Sequence, residues 1–152
     1  MTEYTVVPAT AAHAEELAPN LRDPDVAGIW AEQGLGPLES LLAQIAKPSE
    51  PMAGLADGKV MCLFGIETAA AISNGGLAWM AAHRDLPKHS RAFLRACHAY
   101  IGHLRDNYAR VEVIVDDRNS LSLRWHEWLG FEWIEPVAFG PNKILSWRGR
   151  LA

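Results

Sequence analysis

The sequence predicts a single α/β domain, of the α+β type, spanning residues 1–152, and three observations support this fold class. The stretch 111–131 has the pattern of an apolar strand, a polar turn and a short helix that ends at Gly130. Asp57-Gly58 separates two apolar runs, which is a strong signal for an antiparallel hairpin. The length of 152 residues and the hydrophobic fraction of 49% suit one globular domain with a full core.

The first third of the chain is predicted to hold one strand and three helices. Thr10 is a good helix N-cap, and Pro37 suits the first turn of a helix because its missing N–H needs no partner there. Apolar residues three and four apart, including Ile29 with Trp30, predict the buried faces of the helices. The predicted elements are the strand Tyr4–Pro8, a helix from Thr10 to about Leu17, a helix from Asp23 or Pro24 to Gly34, and a helix from Pro37 to Pro48.

The rest of the chain is predicted to alternate between strands and two more helices. The second strand of the hairpin is continuously apolar, which indicates a central strand. On the last helix, Leu121, Trp125, Trp128 and Leu129 share one face, which predicts that this face is buried. The predicted elements are strands Met52–Ala56 and Lys59–Ile66, a turn at Ser73–Gly76, strand Leu77–Ala82, a helix ending near Tyr108, strand Val111–Val115, a helix to Gly130, strand Phe131–Glu135, a turn at Gly140–Asn142 and strand Ile144–Trp147.

Composition excludes several classes of function. A formal charge of −4 argues against nucleic-acid binding, which needs a basic surface. Cys62 and Cys97 have no metal-ligand spacing and are predicted to be buried free thiols, which favours a reducing compartment. The six histidines form no metal-binding pattern, so no metal site is predicted. Without an apolar run of membrane-spanning length or a signal-peptide pattern, a soluble, cytoplasmic protein is expected.

The stretch 111–131 resembles the last conserved block of the GNAT acyltransferases. That block carries an Asn at the helix start, an aromatic residue near the helix end and then Gly-Phe, and Asn119, Gly130 and Phe131 stand at the matching positions. The opening V-x-P-A-T, residues 6–10, is also typical of GNAT chains. The resemblance implies a GNAT-like acyl-CoA N-acyltransferase fold, with a central mixed, mostly antiparallel sheet flanked by helices. It also implies acetyl-CoA as cofactor and an amine, small or on a protein, as acceptor.

In that family the strand that matches Leu77–Ala82 splays away from the next strand, and acetyl-CoA enters the gap. The resemblance therefore implies that the backbone of Met80, Ala81 and Ala82 binds the pantetheine arm. The pyrophosphate caps the following helix, because free N–H groups and the helix dipole both favour an anion there. Asn119 at the start of the last helix is implied to contact the cofactor as well.

The loop before that helix departs from the family pattern, which is Gln/Arg-x-x-Gly-x-Gly or Ala. The corresponding residues are Asp85, Lys88 and Ser90, so side chains replace the glycines that allow backbone to approach phosphate closely. Lys88, His89, Ser90 and Arg91 could bind phosphates through their side chains instead. The alternative is a solvated, cationic start of a helix.

The catalytic positions are assigned by the same resemblance. Many GNAT enzymes use a Tyr seven residues after the conserved Asn to protonate the departing thiolate, and this count leads to His126. Histidine, with an ordinary pKa of about 6.5, can serve as a proton donor. Glu67 is the nearest carboxylate for a general base, and Trp30 is a candidate for the substrate pocket. The alternatives are a polar surface residue for His126 and a core residue for Trp30.

Three longer segments resemble a phage-associated branch of the GNAT fold. They are DPDVAGIWAEQGLGP, HSRAFLR and RNSLSLRWHEWLGFEWIEPVAFGPNK, and the resemblance extends from Leu21 to about Lys143. This branch includes the small internal virion protein of short-tailed phages and prophage relatives, and its members lack the glycine loop. Two functions therefore stand: an acetyl-CoA-dependent N-acetyltransferase, or a non-catalytic virion-assembly protein. Exposed tryptophans in the region 125–147 would support an assembly surface.

Overall fold

The computed structural model describes residues 1–68 and 75–152, without the side chains of residues 31 and 32. Within these residues the chain forms five α-helices and seven strands. The helices are α1 (Ala11–Leu17), α2 (Asp23–Gln33), α3 (Pro37–Ala46), α4 (Ser90–Asn107) and α5 (Ser120–Leu129), with short 3₁₀ turns at Ala18–Asn20 and Leu86–His89. The strands are β1 (Tyr4–Pro8), β2 (Met52–Ala56), β3 (Lys59–Thr68), β4 (Gly75–Ala82), β5 (Arg110–Asp116), β6 (Phe131–Phe139) and β7 (Ile144–Leu151).

The seven strands form one sheet in the order β1-β2-β3-β4-β5-β7-β6. Only β4 and β5 run parallel, and all other neighbouring strands in the sheet are antiparallel. The predicted mixed, mostly antiparallel sheet flanked by helices is therefore confirmed. The parallel pair requires a crossover, which α4 supplies.

Helices pack on both faces of the sheet. Leu63 of β3 joins a buried cluster with residues of α1 and α3, whereas Ile66 joins a second cluster with α4, α5 and β5. These two residues are three positions apart on one strand, so their side chains point to opposite faces. A third, smaller cluster at one end contains Cys62, Ala82 and Leu86. The sheet is thus the middle layer between α1–α3 and α4–α5.

The local start and stop signals of the sequence are confirmed. The Thr10 hydroxyl accepts a hydrogen bond from the His13 N–H and caps α1. Gly34 and Gly130 end α2 and α5 in the left-handed conformation, with φ of 66° and 103°. Asp57-Gly58 makes the tight turn between β2 and β3.

Strand boundaries and exposed faces differ from the predictions. Gly75 and Gly76, predicted as part of a turn, belong to β4; residues 73 and 74 of that turn lie outside the described residues. Strands β6 and β7 run four residues further than predicted, because each pairs with the other along its whole length at the edge of the sheet.

The predicted buried faces of α2 and α5 are only partly buried. Trp30 of α2 is 61% exposed, and on α5 Leu121 and Trp128 are 56% and 51% exposed, whereas Leu129 is buried. Periodicity identifies the apolar side of a helix but does not say how much of that side another element covers.

Candidate functional site

The parallel strands β4 and β5 separate in the middle of the sheet. Their pairing covers Gly75–Leu77 and Arg110–Glu112 and then stops, although β4 continues to Ala82 and β5 to Asp116. Met80 and Ala82 therefore have no strand beside them on this side. The separation of these two strands, which the resemblance to the GNAT family implied, is present in the structure.

Alternate residues of β4 face this gap with their backbone groups. The His83 N–H donates to the Met61 carbonyl on β3, so the backbone groups of Ala81 also point toward β3. Those of Met80 and Ala82 point the other way, into the gap. Of the three predicted backbone contacts, Ala81 is thus occupied by the sheet, and Met80 and Ala82 face the gap.

The backbone of Ala82 has partners from the start of α2. Its N–H donates to the Asp25 carboxylate at 2.7 Å, and its carbonyl accepts from the Arg22 N–H at 3.0 Å. Leu21 forms an isolated antiparallel bridge with His83 just beyond. The segment 21–25 thus lies where a continued β5 would lie. Met80 is left as the residue with backbone groups directed into the open part of the gap.

A cavity of about 1120 Å³ includes the gap and extends along α4 and α5. It brings together four of the predicted site residues, namely Glu67, Met80, Asn119 and His126. Lys88 and His89 instead line a separate cavity of about 330 Å³ beside the β2–β3 turn. Trp30 contributes to neither lining; its indole lies on the outer surface of α2.

The predicted phosphate-binding side chains lie at the start of α4, where two of them already have partners. The Lys88 ammonium is 3.4 Å from the Asp85 carboxylate, and the His89 ring nitrogen is 2.8 Å from the Tyr4 hydroxyl. Lys88 lowers the pKa of Asp85 through its charge and hydrogen bond, against the opposing effect of desolvation. Ser90 and Arg91 are exposed. No side chain caps the N-terminus of α4, and the 3₁₀ turn Leu86–His89 runs directly into that helix.

His126 is held on α5 with one ring nitrogen occupied. Nδ1 lies 2.7 Å from the Ser122 carbonyl oxygen, which assigns the ring proton to Nδ1. Burial lowers the pKa of His126 to about 4, and the hydrogen bond to the Ser122 backbone opposes this only in part. The imidazole is therefore neutral near pH 7, with Nε2 as a proton acceptor. To donate a proton to a thiolate, as predicted, it must first take one up.

Glu67 and Asn119 also make contacts within the protein. The Glu67 carboxylate is 3.3 Å from the Lys47 ammonium, and both side chains are partly exposed. Asn119 caps α5, its side-chain oxygen accepting from the Ser122 N–H at 3.2 Å. Its amide nitrogen has no partner among the described residues and can still donate to a ligand.

Four buried polar atoms without partners in the described part of the chain belong to residues of the large cavity wall: Gln44 Oε1, Trp79 Nε1, Tyr100 Oη and Trp125 Nε1. Such atoms are costly in a folded protein, and they concentrate where ligands bind. Among these four atoms only Tyr100 Oη carries a titratable proton, and burial raises the pKa of Tyr100 and keeps its hydroxyl protonated. Sequence analysis missed Tyr100 because its spacing on α4 is that of an ordinary core residue.

The whole chain resembles solved acetyltransferase structures. Ard1 from Thermoplasma volcanium matches with a TM-score of 0.73 and 12% identity, over 97% of this chain and 95% of that one. The ribosomal-protein-S18-alanine N-acetyltransferase from Escherichia coli matches with a TM-score of 0.70 and 12% identity, over 98% and 93%. YncA from Salmonella typhimurium, solved with its cofactor acetyl-CoA, matches with a TM-score of 0.65 and 13% identity, over 97% and 92%.

At the level of sequence, no protein-family model and no curated protein matches the chain. The structural matches, at such low identity, define the fold: the chain has the GNAT acyl-CoA N-acyltransferase fold. Within the residues described, no helix is long and apolar enough to span a membrane, and no cluster of metal-ligating side chains is found there.

Proposed function

We propose that this protein is an N-acetyltransferase that transfers an acetyl group from acetyl-CoA to an amine. The separation of β4 from β5 beyond Leu77 and Glu112 carries the proposal, because it leaves backbone groups of the central sheet free beside a large cavity. Backbone that is free at the middle of a sheet is otherwise rare, since sheets normally satisfy their own hydrogen bonds. Two free thiols fit the proposed cytoplasmic setting.

The residues beside the gap suit the thioester end of acetyl-CoA. With the thioester in the gap, the Met80 N–H would donate to the carbonyl oxygen as it gains negative charge, and a fixed N–H donor stabilises such a charge. The Asn119 amide can donate to the pantetheine arm. The cofactor would supply an activated acetyl group, and the protein would supply position and hydrogen bonds.

The diphosphate end would be held at the start of α4. The start of α4 has no side-chain cap and Arg91 is exposed, and Lys88 can turn from Asp85 to an anion at little cost because it is exposed. This arrangement replaces a glycine loop with side-chain cations. Because these side chains can change conformation, such a site would accept a wider range of phosphate positions than a loop of backbone N–H groups.

Proton transfer is assigned to groups on the cavity wall. His126 has a neutral ring with Nε2 unprotonated and is proposed to relay a proton from the attacking amine to the leaving thiolate; its lowered pKa makes it a weak base that would not retain the proton. Tyr100 supplies a protonated hydroxyl without an internal partner. Glu67 remains the candidate for a general base once Lys47 is displaced.

The acceptor is proposed to be an amine, either of a small molecule or of a protein. Similar folds act on both kinds, as shown by the spermidine N-acetyltransferase of Vibrio cholerae and the ribosomal-protein-S18-alanine N-acetyltransferase of Escherichia coli. Trp30 on the exposed face of α2 is a candidate contact for a large acceptor outside the cavity.

The test is thermal unfolding with and without excess acetyl-CoA, with free CoA as a comparison. A ligand at ~100 times its Kd adds about 2.7 kcal/mol, which for a chain of this size raises Tm by roughly 5–10 °C. Replacing Lys88 and Arg91 together by Ala should remove most of the shift. Replacing Arg105 and Arg110 by Ala removes the same charge far from the start of α4, at the last turn of α4 and the first residue of β5. This control should leave the shift in Tm intact. No shift at millimolar acetyl-CoA would refute the proposal.

A second candidate function is a non-catalytic phage or prophage virion-assembly protein that retains this fold. The observation that favours it is the apolar surface of α5, where Leu121 and Trp128 are about half exposed. The other tryptophans of this region are half-buried; Trp133 and Trp147 donate to the carboxylates of Glu127 and Asp117. This function requires Leu121 and Trp128 for assembly and predicts no response to acetyl-CoA, so the same thermal experiment separates the two candidates.

A further inference from the structure

We propose that the acyl site accepts chains longer than acetyl, of about six carbons, in an apolar groove between α4 and strands β2–β3. This inference rests on the proposed acyltransfer function, because the groove begins at Met80. An acetyl group has a single methyl beyond its carbonyl, whereas the cavity at this point continues well past Met80.

The groove is continuous with the gap between β4 and β5. Met80, Phe64, Phe93 and Cys62 pack in one cluster on the α4 face of the sheet. Phe64 and Tyr100 are in edge-to-face contact, with ring centroids 4.7 Å apart. An acyl chain that starts beside Met80 therefore meets apolar side chains without a break as far as Tyr100.

The wall of the groove is uncharged over this length. Burial raises the pKa of both the Cys62 and Cys97 thiols to about 12, so both are neutral and behave as small apolar groups. Glu50 and His103, whose Oε2 and Nε2 atoms are 3.9 Å apart, are polar residues of the same cavity wall. That pair lies beyond Tyr100 and marks the polar end of the groove.

The length follows from the sheet. Met80 pairs with Phe64 on β3, and Cys62 pairs with Gly54 on β2, so the groove crosses two strand spacings. Two spacings are roughly 10 Å, which accommodates ~6 to 8 carbons. Gly54 lets the Cys62 sulfur pack directly on the backbone of β2, because a Cβ there would come within 2.8 Å of that sulfur.

The experiment measures the Kd of the wild-type chain for CoA, acetyl-CoA, butanoyl-CoA and hexanoyl-CoA by titration calorimetry. Burial of each methylene favours binding by roughly fourfold, so hexanoyl-CoA is expected to bind at least tenfold more tightly than acetyl-CoA. The readout is the ratio of the two Kd values, which does not depend on how well the CoA moiety itself binds.

Two variants on α4 show whether any gain comes from this groove. Cys97→Phe fills the groove and should bring the ratio close to one. Arg95→Phe adds the same ring at an exposed position that does not line the cavity, and should preserve the wild-type ratio. Cys97→Ala, which removes volume from the groove, should also preserve the wild-type ratio of the two Kd values. This variant keeps position 97 testable if the Cys97→Phe chain does not fold.

The outcomes separate the two proposals. If acetyl-CoA binds and hexanoyl-CoA binds no better, the proposal of an acyl-binding groove is wrong and the acetyltransferase proposal stands. If hexanoyl-CoA still binds more tightly than acetyl-CoA to a folded Cys97→Phe variant, the acyl chain binds elsewhere and the groove proposal is again wrong. If neither CoA nor any ester binds, the proposed function itself fails, and the groove proposal with it.

Discussion

The Asp25 carboxylate accepts a hydrogen bond from the backbone N–H of Ala82 at 2.7 Å, joining the start of α2 to the end of β4. The same carboxylate receives two hydrogen bonds from the Arg22 guanidinium, at 2.9 and 3.3 Å. Its side chain is only 8% exposed. This contact closes the outer part of the gap between β4 and β5 and restricts the free backbone to the region of Met80.

Removing this carboxylate should destabilise the fold. Asp25→Ala leaves the buried Ala82 N–H without an acceptor and is expected to cost about 1–3 kcal/mol of unfolding free energy. Asp25→Asn keeps an acceptor oxygen and should cost less than half as much. Urea unfolding measures both changes.

Asp23→Ala is the matched control for these variants. Asp23 is exposed in the same helical turn, where its charge favours the helix dipole, so its removal should cost at most ~1 kcal/mol. If Asp25→Ala and Asp23→Ala lower the free energy of unfolding equally, the contact between Asp25 and Ala82 does not contribute to stability.

His126 should make stability depend on pH. Burial lowers its pKa from 6.5 to about 4 in the folded chain, so the unfolded chain binds the proton more tightly. The stability associated with the neutral ring is therefore complete above about pH 6.5 and is lost as the pH falls toward 4, by roughly 3 kcal/mol in all.

The measurement is urea unfolding of wild type and His126→Gln between pH 4 and pH 8. His83 is also buried with a lowered pKa, so only the difference between the two curves reports His126. His98→Gln, at an exposed position of α4, should follow the wild type. A His126→Gln chain that keeps the full pH dependence would contradict the burial of the ring.

Two glycines should respond in opposite directions to substitution by Ala. Gly130 has φ of 103°, and a Cβ there would lie 3.0 Å from Arg105 Nη2, so Gly130→Ala should cost about 1–2 kcal/mol. Gly102 lies within α4 with nothing within 4 Å of its added Cβ, so Gly102→Ala should stabilise by about 0.5–1 kcal/mol. Thermal unfolding of both variants tests this; equal effects would show that the backbone conformation at Gly130 is not the cause.

Tyr100→Phe should leave stability unchanged or raise it by up to ~1 kcal/mol, because the hydroxyl has no partner in the described structure. Tyr4→Phe is the control: its hydroxyl lies 2.8 Å from His89 Nδ1, so the change should cost about 0.5–1.5 kcal/mol. A clear loss on Tyr100→Phe in the absence of ligand would mean that the hydroxyl has a partner after all. With an acceptor amine identified, the same variant tests Tyr100 as proton donor.

Short-range chemistry accounts for the parts of the fold that were predicted correctly. The Thr10 cap, the Asp57-Gly58 turn and the glycine ends of α2 and α5 each depend on a few neighbouring residues. Exposure of Trp30 and Trp128 was not predicted, because it depends on which elements pack beside α2 and α5. Among the site residues, Met80 and His126 line one cavity, whereas Lys88 lines another.

The sequence by itself determined the order of strands and helices, their caps and turns, and the resemblance that pointed to the GNAT fold. Only the tertiary structure decided that Asp25 meets Ala82, that burial keeps His126 neutral, and that Tyr100 on a cavity wall has no hydrogen-bond partner among the described residues. The physical reason is the sequence separation between the residues that make each contact. Caps and turns arise from contacts within a few residues, whereas Asp25 and Ala82 are 57 residues apart and meet only through the packing of α2 against the sheet. Desolvation, likewise, is a property of the assembled core and not of any local pattern.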